Sequence, residues 1–241
     1  SRCSVISTRH MITYPFGDRT VAKKKRVVVT VTFGPTHDKV AELTHPLIKK
    51  YARNHGADFR VIRNDDREFP TLHPSYEDWQ TFNLLNHYDE VVHLDTDVVL
   101  AKEADWLLAV SAGRFAAFDE LHRNERKQDW NEWQGRRYYN LGVWGCTRQH
   151  AILWSEMQPS NDVDGHQDFL NLRLLRLGIP VYDVGPEYNT MCYDWHGDYS
   201  TYDYRTTANI IHYAGIRNSE ELLNRIKADI DGLRALGRNI D

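Results

Sequence analysis

The sequence predicts an α/β protein built on a doubly wound, mostly parallel sheet with helices on both faces. The first observation behind this prediction is the run RVVVTVTF at 26–33, because near-continuous β-branched residues are typical of a strand buried on both faces. The second is that strand and helix patterns alternate from residue 26 to residue 100. No internal repeat, low-complexity tract or linker interrupts the chain, so residues 1–241 are predicted to form a single domain.

The elements of the first half follow from local patterns. The strand at 26–33 ends at Gly34 and Pro35, a turn signal. Apolar residues then recur at helical spacing from Val40 to Tyr51, and Gly56 closes this helix. The remaining elements are, in order, a strand at 58–62, a loop at 64–75, a helix at 76–87 and a strand that continues through 91–100.

The second half is less regular, and its elements are shorter. The predicted strands lie at 114–118, 139–145 and 209–212, and the predicted helices lie at 149–158, 165–177 and 222–233, the last being an amphipathic C-terminal helix. A segment at 193–204 crowds aromatic side chains among acidic ones, which favours a surface that stacks on sugars or bases. Trp130 and Trp133 are predicted to form the opposite wall of that surface.

Composition excludes several classes of protein. The net charge of −4 and the pI near 6.3 provide no basic field, so no nucleic-acid partner is expected. No apolar stretch approaches the length of a membrane span. Three cysteines without metal spacing indicate a reducing compartment, and we expect a cytoplasmic protein. The chain begins at Ser1 rather than Met, so a preceding anchor or signal stays open, as does the oligomeric state.

Asp95 and Asp97 are the strongest functional signal in the chain. They are set between two short apolar runs, VVHL and VVL, that are typical of buried strands. In a strand that continues, both carboxylates would share a face, because side chains alternate with period 2. Two such carboxylates beside a buried sheet are costly unless a divalent cation such as Mg²⁺ or Mn²⁺ binds them. A lone Asp-x-Asp is more often simply solvated, but this setting favours a metal site at the carboxyl end of a strand.

His212 ends an apolar strand and precedes a glycine turn at Gly215. A lone histidine there is more often a core or capping residue. The alternative is that it supplies a third ligand to the Asp pair, in which case its imidazole would favour Mn²⁺ over Mg²⁺.

Two further segments place polar side chains at the ends of predicted elements. Asn140 begins a strand with Gly142 two residues later, which fits either an edge strand or an amide that binds a ligand while the glycine admits that ligand. His166, Gln167 and Asp168 lie together at a helix N-terminus. Asp168 alone would complement the helix dipole, but three polar side chains exceed what capping requires.

Together these residues resemble the GT-A glycosyltransferases, specifically the retaining group that includes glycogenin-like and lipopolysaccharide galactosyltransferase-like enzymes. The resemblance runs from about residue 26 to residue 218. Besides the first strand with its glycine turn, it is carried by YARNHG at 51–56, Trp79-Gln80, Asp95-Thr96-Asp97, NLGV at 140–143, the helix start with Gln167, YNTM at 188–191 and HYAG at 212–215.

The resemblance implies a role for each matching residue. Asp95, Asp97 and His212 would hold Mn²⁺ (or Mg²⁺) on the diphosphate of a nucleotide sugar, most simply a UDP-sugar. Residues that would bind the donor are Thr32, Phe33 and Gly34 around the nucleoside, Asp95 at the diphosphate, Asp119, Asn140 and Gln167 at the sugar, and Arg217 at the leaving phosphate. Trp79 and Gly142 would also belong to the donor site. His166, Gln167 and Asp168 would flank the reacting carbon. The domain would then divide into a nucleotide-binding half at 26–100, a half for the donor sugar and acceptor at 101–218, and a C-terminal helix at 219–241.

Two positions depart from the family pattern. His166 occupies the place of an acid, and Asn218 occupies the place of a lysine, with Arg217 beside it. The expected function is a metal-dependent transfer of a sugar to a carbohydrate or other hydroxyl acceptor, with retention of anomeric configuration. Three alternatives stay open: a nucleotidyltransferase, a hydrolase of nucleotide sugars, and a non-catalytic module that binds nucleotides or glycans.

Overall fold

In the computed structural model, residues 24–120, 137–155, 166–191 and 204–240 are described. The strands are β1 (Arg26–Val31), β2 (Asp58–Ile62), β3 (Glu90–Leu94), β4 (Val98–Leu100), β5 (Phe115–Asp119), β6 (Tyr139–Thr147), β7 (Val181–Asp183), β8 (Thr190–Met191) and β9 (Ile210–His212). The α-helices are α1 (Gly34–Asn54), α2 (Gln80–Leu85), α3 (Leu107–Val110), α4 (His166–Arg176), α5 (Tyr204–Thr207) and α6 (Ser219–Ala235). Short 3₁₀ helices lie at Asn64–Asp66, Pro74–Trp79, Arg148–Leu153 and Pro186–Tyr188.

A six-stranded sheet in the order β2-β1-β3-β6-β5-β7 organises these elements. The pairs β1–β2, β1–β3 and β5–β7 are parallel, and β6 runs antiparallel to both of its neighbours. Five of the six strands therefore point the same way, which confirms the predicted doubly wound, mostly parallel α/β fold. A second sheet of three strands, in the order β4-β9-β8, continues from the end of β3.

The large sheet is buried on both faces, as the β-branched run predicts. Val28 packs into a core formed with α1, α3 and α6, whereas Val27 and Val29 pack into a second core on the opposite face. The second core contains Trp144 and residues from the 3₁₀ helix before α2 and from α4. Each fully buried valine contributes about 1.5 kcal/mol or more to this packing.

The main difference from the sequence prediction concerns the strand that carries the Asp pair. That strand does not continue, because β3 ends at Leu94 and β4 begins at Val98 in the other sheet. Asp95 and Asp97 therefore lie in the turn that joins the two sheets. The turn leaves both carboxylates partly buried at the end of β3, with 41% of the Asp95 side chain and 17% of the Asp97 side chain exposed.

Smaller differences follow from short elements. The predicted helix at 76–87 is a 3₁₀ helix followed by α2, and the described part of the predicted helix at 149–158 is a 3₁₀ helix. The strands β7 and β8 were not predicted, because segments of three and two residues show no periodicity. Trp130, Trp133 and most of the aromatic segment 193–204 lie outside the described residues.

An irregularity in the pairing of β6 with β5 shapes the edge of the sheet at which β3 ends. β6 pairs with β5 at Phe118–Asn140 and again at Ala117–Trp144, so residues 141–143 of β6 have no partner on β5. Val143 instead pairs with Leu94 of β3, and the carbonyl of Gly142 accepts a hydrogen bond of 2.8 Å from the backbone N–H of Asp95. Within the described ranges, no helix combines the length and the apolar character needed to cross a membrane.

Candidate metal and substrate site

A cleft of about 540 Å³ opens where β1, β3 and β5 end and β6 begins. Ligands of open α/β sheets bind at this edge, because the strand ends leave room between the flanking loops. The residues predicted from sequence that line the cleft are Phe33, Asp95, Asp97, Asn140, Gly142, His166, Gln167 and His212. Its other lining residues include His37, His73, Asp78, Glu120 and Met191.

The register of the small sheet brings His212 to the Asp pair. β4 and β9 are antiparallel with Val98 opposite His212, and the N–H of Tyr213 donates to the carbonyl of Asp97 at 3.0 Å. The Nε2 atom of His212 then lies 3.5 Å from Oδ2 of Asp95 and 3.6 Å from Oδ1 of Asp97. A separation of 115 residues in the chain is thus closed by one pair of neighbouring strands.

This donor set fits a divalent cation. One atom from each of Asp95, Asp97 and His212 lies within 4.8 Å of the other two. An ion with ligand bonds of about 2.0–2.6 Å keeps its ligands no more than about 5 Å apart. Two carboxylate oxygens and one imidazole nitrogen suit Mn²⁺ or Mg²⁺, with the nitrogen favouring Mn²⁺.

The ionisation of the three groups is strongly linked. Burial opposes ionisation of Asp95, but contacts with His212 and His93 outweigh it and hold the pKa of that carboxyl below its usual range. Burial raises the pKa of Asp97, and the neighbouring charge of Asp95 adds to this rise. The pKa of His212 is lowered by burial and raised by a larger combined effect of both carboxylates. The two carboxylates therefore make positive charge favourable in this part of the cleft.

A chain of hydrogen bonds determines which nitrogen of His212 is free. The backbone N–H of Gly142 donates to Oδ1 of Asn140 at 3.0 Å, which identifies that atom as the amide oxygen. The same oxygen accepts a second hydrogen bond, from Nδ2 of Asn189 at 2.9 Å. The amide oxygen of Asn189 then accepts from Nδ1 of His212 at 2.9 Å. Because Nδ1 carries the proton, Nε2 offers its lone pair to the cleft. Asn140 thus acts on the metal site through Asn189.

Gly142 is required by the packing of the candidate metal ligands themselves. A Cβ atom on this residue would lie 2.1 Å from Cε1 of His212, 2.7 Å from its Nε2 and 2.8 Å from Oδ2 of Asp95. The sequence suggested that the glycine admits a ligand. In the structure its missing side chain first makes room for the side chains of His212 and Asp95.

The turn that carries the Asp pair is fastened by its middle residue, Thr96. Its buried hydroxyl lies 2.6 Å from the hydroxyl of Thr32 and donates to the carbonyl of Val31 at 2.8 Å. Its carbonyl accepts a hydrogen bond of 2.7 Å from the hydroxyl of Thr44 on α1. Thr32, predicted to line the nucleoside pocket, is buried and also contacts His45 at 3.2 Å. Its contacts support the turn rather than a ligand.

Gln167 lies in the cleft with both ends of its amide held. Its Oε1 accepts from the N–H of Leu141 at 3.1 Å, and its Nε2 donates to the hydroxyl of Tyr138 at 3.0 Å. The hydroxyl of Tyr138 in turn donates to Asp168, which is buried and does not line the cleft. Asp168 therefore orients Gln167 through Tyr138. Glu120 also approaches, with its Oε2 3.5 Å from Nε2 of Gln167.

His166, which occupies the place of an acid in the family pattern, contacts a carboxylate from another part of the chain. Its Nε2 lies 3.2 Å from Oδ2 of Asp78, which is buried at the end of the 3₁₀ helix before α2. Asp78 and His166 both line the cleft. The fold thus supplies an acidic group beside His166 from the predicted helix at 76–87, in which Asp78 was not among the predicted site residues.

Four other predicted residues do not line the cleft. Trp79 is buried against Phe169 in the second core, with ring centroids 5.1 Å apart. Gly34 begins α1 with a φ of 84°. Arg217 is exposed two residues beyond Gly215, which does line the cleft.

Asp119, the fourth of these residues, is buried on the other side of β5. Its Oδ2 lies 3.4 Å from Nε of Arg137, and burial raises its pKa although Arg137 opposes the rise. The next residue, Glu120, faces the cleft instead, because successive side chains point to opposite sides of an extended chain. Alternation shows that only one of the two faces the cleft, but not which one, so the sequence offered no signal that selected Glu120 over Asp119.

Comparisons with solved structures find the same architecture in sugar-transferring enzymes. A glycosyltransferase involved in glycosylation of the major capsid of PBCV-1 superposes with a TM-score of 0.58 at 14% identity, over 85% of this chain and 99% of that one. The bifunctional glycosyltransferase WbbM gives 0.60 at 14% identity over 89% of this chain, which spans half the length of that protein. Mouse xyloside xylosyltransferase 1 gives 0.50 at 12% identity, over 79% of this chain and 98% of that one.

The chain has a glycosyltransferase fold. No family model matches the sequence, and no curated protein matches it either. Identities of 12–14% establish the architecture alone. The function must therefore be argued from the cleft.

Proposed function

We propose that this protein is a metal-dependent glycosyltransferase that moves a sugar from a nucleotide donor, a UDP-sugar, to a hydroxyl of a carbohydrate acceptor. The observation that carries the proposal is the convergence of Asp95, Asp97 and His212 in a cleft of about 540 Å³, at the strand edge where α/β folds bind ligands. The glycosyltransferase fold supports it independently.

Asp95, Asp97 and His212 hold Mn²⁺ or, less tightly, Mg²⁺. When bound, the ion supplies Lewis-acid stabilisation of the negative charge that grows on the donor diphosphate. Nε2 of His212 is presented as a neutral ligand because Asn189 holds the proton on Nδ1. The ionised Asp95 and Asp97 supply the charge that a divalent cation requires.

The donor occupies the cleft with its nucleoside beside Phe33 and Val31, whose apolar side chains form one wall. The guanidinium of Arg67 lies 5.3 Å from the centre of the Phe33 ring and holds this ring at the cleft rim. Arg217 follows the cleft-lining Gly215, and we assign its guanidinium to the leaving phosphate, since the family lysine is absent from the neighbouring position.

Around the sugar, Glu120 and Asn140 offer an acceptor and an amide to hydroxyl groups, and Gln167 faces the anomeric carbon. The bond between the anomeric carbon and the phosphate oxygen breaks with its electron pair on the phosphate. The acceptor oxygen bonds to the same face of the carbon, and its proton passes to the departing phosphate. Transfer therefore retains configuration, with Gln167 on the opposite face. An NMR spectrum of the first product with inverted configuration would contradict this assignment.

The protein is assigned to the cytoplasm, with a nucleotide sugar and a carbohydrate as its partners and no nucleic acid. The cleft wall carries several histidines, and the net charge of −4 provides no extended basic surface for a polyanion.

Donor hydrolysis tests the proposal without knowledge of the acceptor, because water replaces the hydroxyl. A panel of UDP- and GDP-sugars is incubated with the protein and Mn²⁺, and release of the nucleoside diphosphate is measured. We expect release from at least one UDP-sugar, its loss on chelation of the metal, and its abolition in Asp97→Ala. The matched control is Asp231→Ala, because that carboxylate is 77% exposed on α6. Full activity in Asp97→Ala would remove the metal assignment.

The same assay separates the alternatives. A nucleotidyltransferase would form a nucleotide sugar from UTP and a sugar phosphate, which a second incubation measures. A non-catalytic module would bind UDP in the presence of Mn²⁺, as detected by calorimetry, but release nothing from any donor and transfer nothing to added oligosaccharides.

A further inference from the structure

His93 is a buried histidine in direct contact with the proposed metal site. It lies in β3, two residues before Asp95, with 1% of its surface exposed. Its Nε2 is 3.0 Å from Oδ1 of Asp95. The other oxygen of Asp95, Oδ2, faces His212 at 3.5 Å. The two oxygens of one carboxylate are thus divided between a buried imidazole and the ligand cluster.

The plane of the His93 ring is held by aromatic stacking. It lies on Trp144 with centroids 5.2 Å apart and an angle of 5° between the planes. Trp144 is itself stacked on Phe115 at 5.8 Å and on Trp154 at 5.5 Å. An imidazole packed in this way cannot turn its Nε2 away from Asp95 without disturbing three large buried rings.

A second carboxylate lies on the far side of the ring. Oδ1 of Asp78 is 3.5 Å from Nδ1 of His93, although the two atoms do not form a hydrogen bond. Asp78 therefore adds negative charge on this side of the ring without a hydrogen bond to it. An ionised carboxylate can only accept, so the 3.0 Å contact with Oδ1 of Asp95 makes Nε2–H of His93 the donor, and the stacking keeps that donor directed at Asp95.

We propose that His93 is a positioning residue of the metal site, which holds one oxygen of Asp95 so that only the other faces the cation. The inference rests on the proposed metal site. An aspartate carboxylate rotates easily about its last torsion and presents either oxygen, or both, unless one is engaged. A donor on Oδ1 removes that freedom and selects a single ligand geometry before the ion binds. Groups that orient a metal ligand in this way typically change metal affinity by about 10- to 100-fold when they are removed.

Two substitutions separate the donor from the packing. His93→Phe keeps a flat ring to stack on Trp144 and removes the N–H. His93→Gln removes the ring but places an amide N–H at about the reach of Nε2. The control is His150→Phe, because His150 is also a buried histidine, contacts Phe115 edge-on and does not line the cleft. The dissociation constant for Mn²⁺ alone is measured by the electron paramagnetic resonance signal of the free ion. Folding is verified by circular dichroism.

We expect the Kd for Mn²⁺ to rise by about 10- to 100-fold in His93→Phe, and to return to within about threefold of wild type in His93→Gln. It should not change in His150→Phe. Wild-type affinity in a folded His93→Phe overturns the proposal, and so does a His93→Gln variant that binds as weakly as His93→Phe. If wild type itself does not bind Mn²⁺, the proposed metal site fails and this inference fails with it. Donor turnover is not needed for any of these readings.

Discussion

Substitution of Gly142 by alanine tests whether the three proposed ligands act as one preformed metal site. The added Cβ would lie 2.1 Å from Cε1 of His212, whereas carbon atoms in contact are normally about 3.5–4.0 Å apart. His212 or β6 must therefore move by about 1.5 Å or more. His212 resists this movement, because Asn189 holds its Nδ1 and β9 is paired with β4.

The expected loss of Mn²⁺ affinity follows from the strain that the added methyl group introduces. Inserting a methyl group into a packed site costs about 1–3 kcal/mol when neighbours shift to accept it. If His212 and Asp95 move apart to relieve this strain, they must return to the strained positions when the ion binds, so the strain energy weakens binding. The Kd for Mn²⁺ should then rise by about 5- to 150-fold, since each 1.4 kcal/mol is a factor of ten. Neither ligand is itself altered by the substitution.

The assay is the Mn²⁺ titration already described, together with urea denaturation of the metal-free protein. Gly145→Ala is the matched control in the same strand. Its Cβ would lie 3.2 Å from Cγ of Leu108 and 3.3 Å from Cδ2 of Leu107, so it strains an apolar contact far from the ligands. We expect Gly145→Ala to lower the free energy of unfolding without changing the Kd for Mn²⁺.

Two outcomes would refute the reasoning about Gly142. One is a folded Gly142→Ala variant with the Kd of wild type, which would mean that His212 and Asp95 do not share an ion. The other is an equal loss of affinity in Gly145→Ala, which would mean that general destabilisation of β6, rather than the ligand contact, weakens binding.

Two further predictions concern the amide of Gln167 and the pH dependence of stability. Tyr138→Phe removes the hydroxyl that joins Gln167 to Asp168. It should slow Mn²⁺-dependent donor hydrolysis about tenfold or more while the Kd for Mn²⁺ stays unchanged. A parallel loss of metal affinity would count against a role of this hydroxyl that is limited to Gln167. Burial and the charge of Arg63 lower the pKa of His45 to about 4, so the unfolded state binds more protons as the pH falls from about 6.5 towards 4. Stability contributed by neutral His45 is complete above pH 6.5 and is lost over this range. Between pH 7 and pH 4.5, the free energy of unfolding of wild type should fall by about 1 kcal/mol more than that of His45→Gln, as measured by urea denaturation. The difference is this small because the His45 ring is only partly shielded from solvent. Equal losses in both proteins would show that His45 does not titrate in this way.

The fold class could be predicted because its signals are local. The run that became β1 is β-branched and nearly uninterrupted, β3 contains the pair Val91-Val92, and the helical spacing from Val40 to Tyr51 became part of α1. The pair Asp95 and Asp97 was likewise conspicuous, since carboxylates are rare beside buried strands. Their location in a turn between two sheets was not predictable, because the apolar residues on both sides fit one long strand equally well.

The cleft required information that no local pattern contains. Whether Asp119 or Glu120 faces the ligand depends on the phase of β5 relative to the cleft, and only the pairing of β5 with β6 determines that phase. Trp79 matched the family pattern, but the packing of its helix turns the indole into the core. Asp78 approaches His166 from a segment 88 residues earlier (166 − 78), a contact made by tertiary packing alone.

The sequence by itself determined that this chain forms a doubly wound α/β sheet and that two carboxylates stand at the end of one of its strands. Periodicity and β-branching are properties of a few neighbouring residues, so they can be recognised without knowledge of the rest of the chain. The tertiary structure decided what surrounds those carboxylates. It placed His212 beside Asp97 through the register of β4 and β9, and it set His93 behind Asp95 on a stack of buried rings. Contacts of that kind depend on how whole strands align, so they exist only once the sheet is assembled.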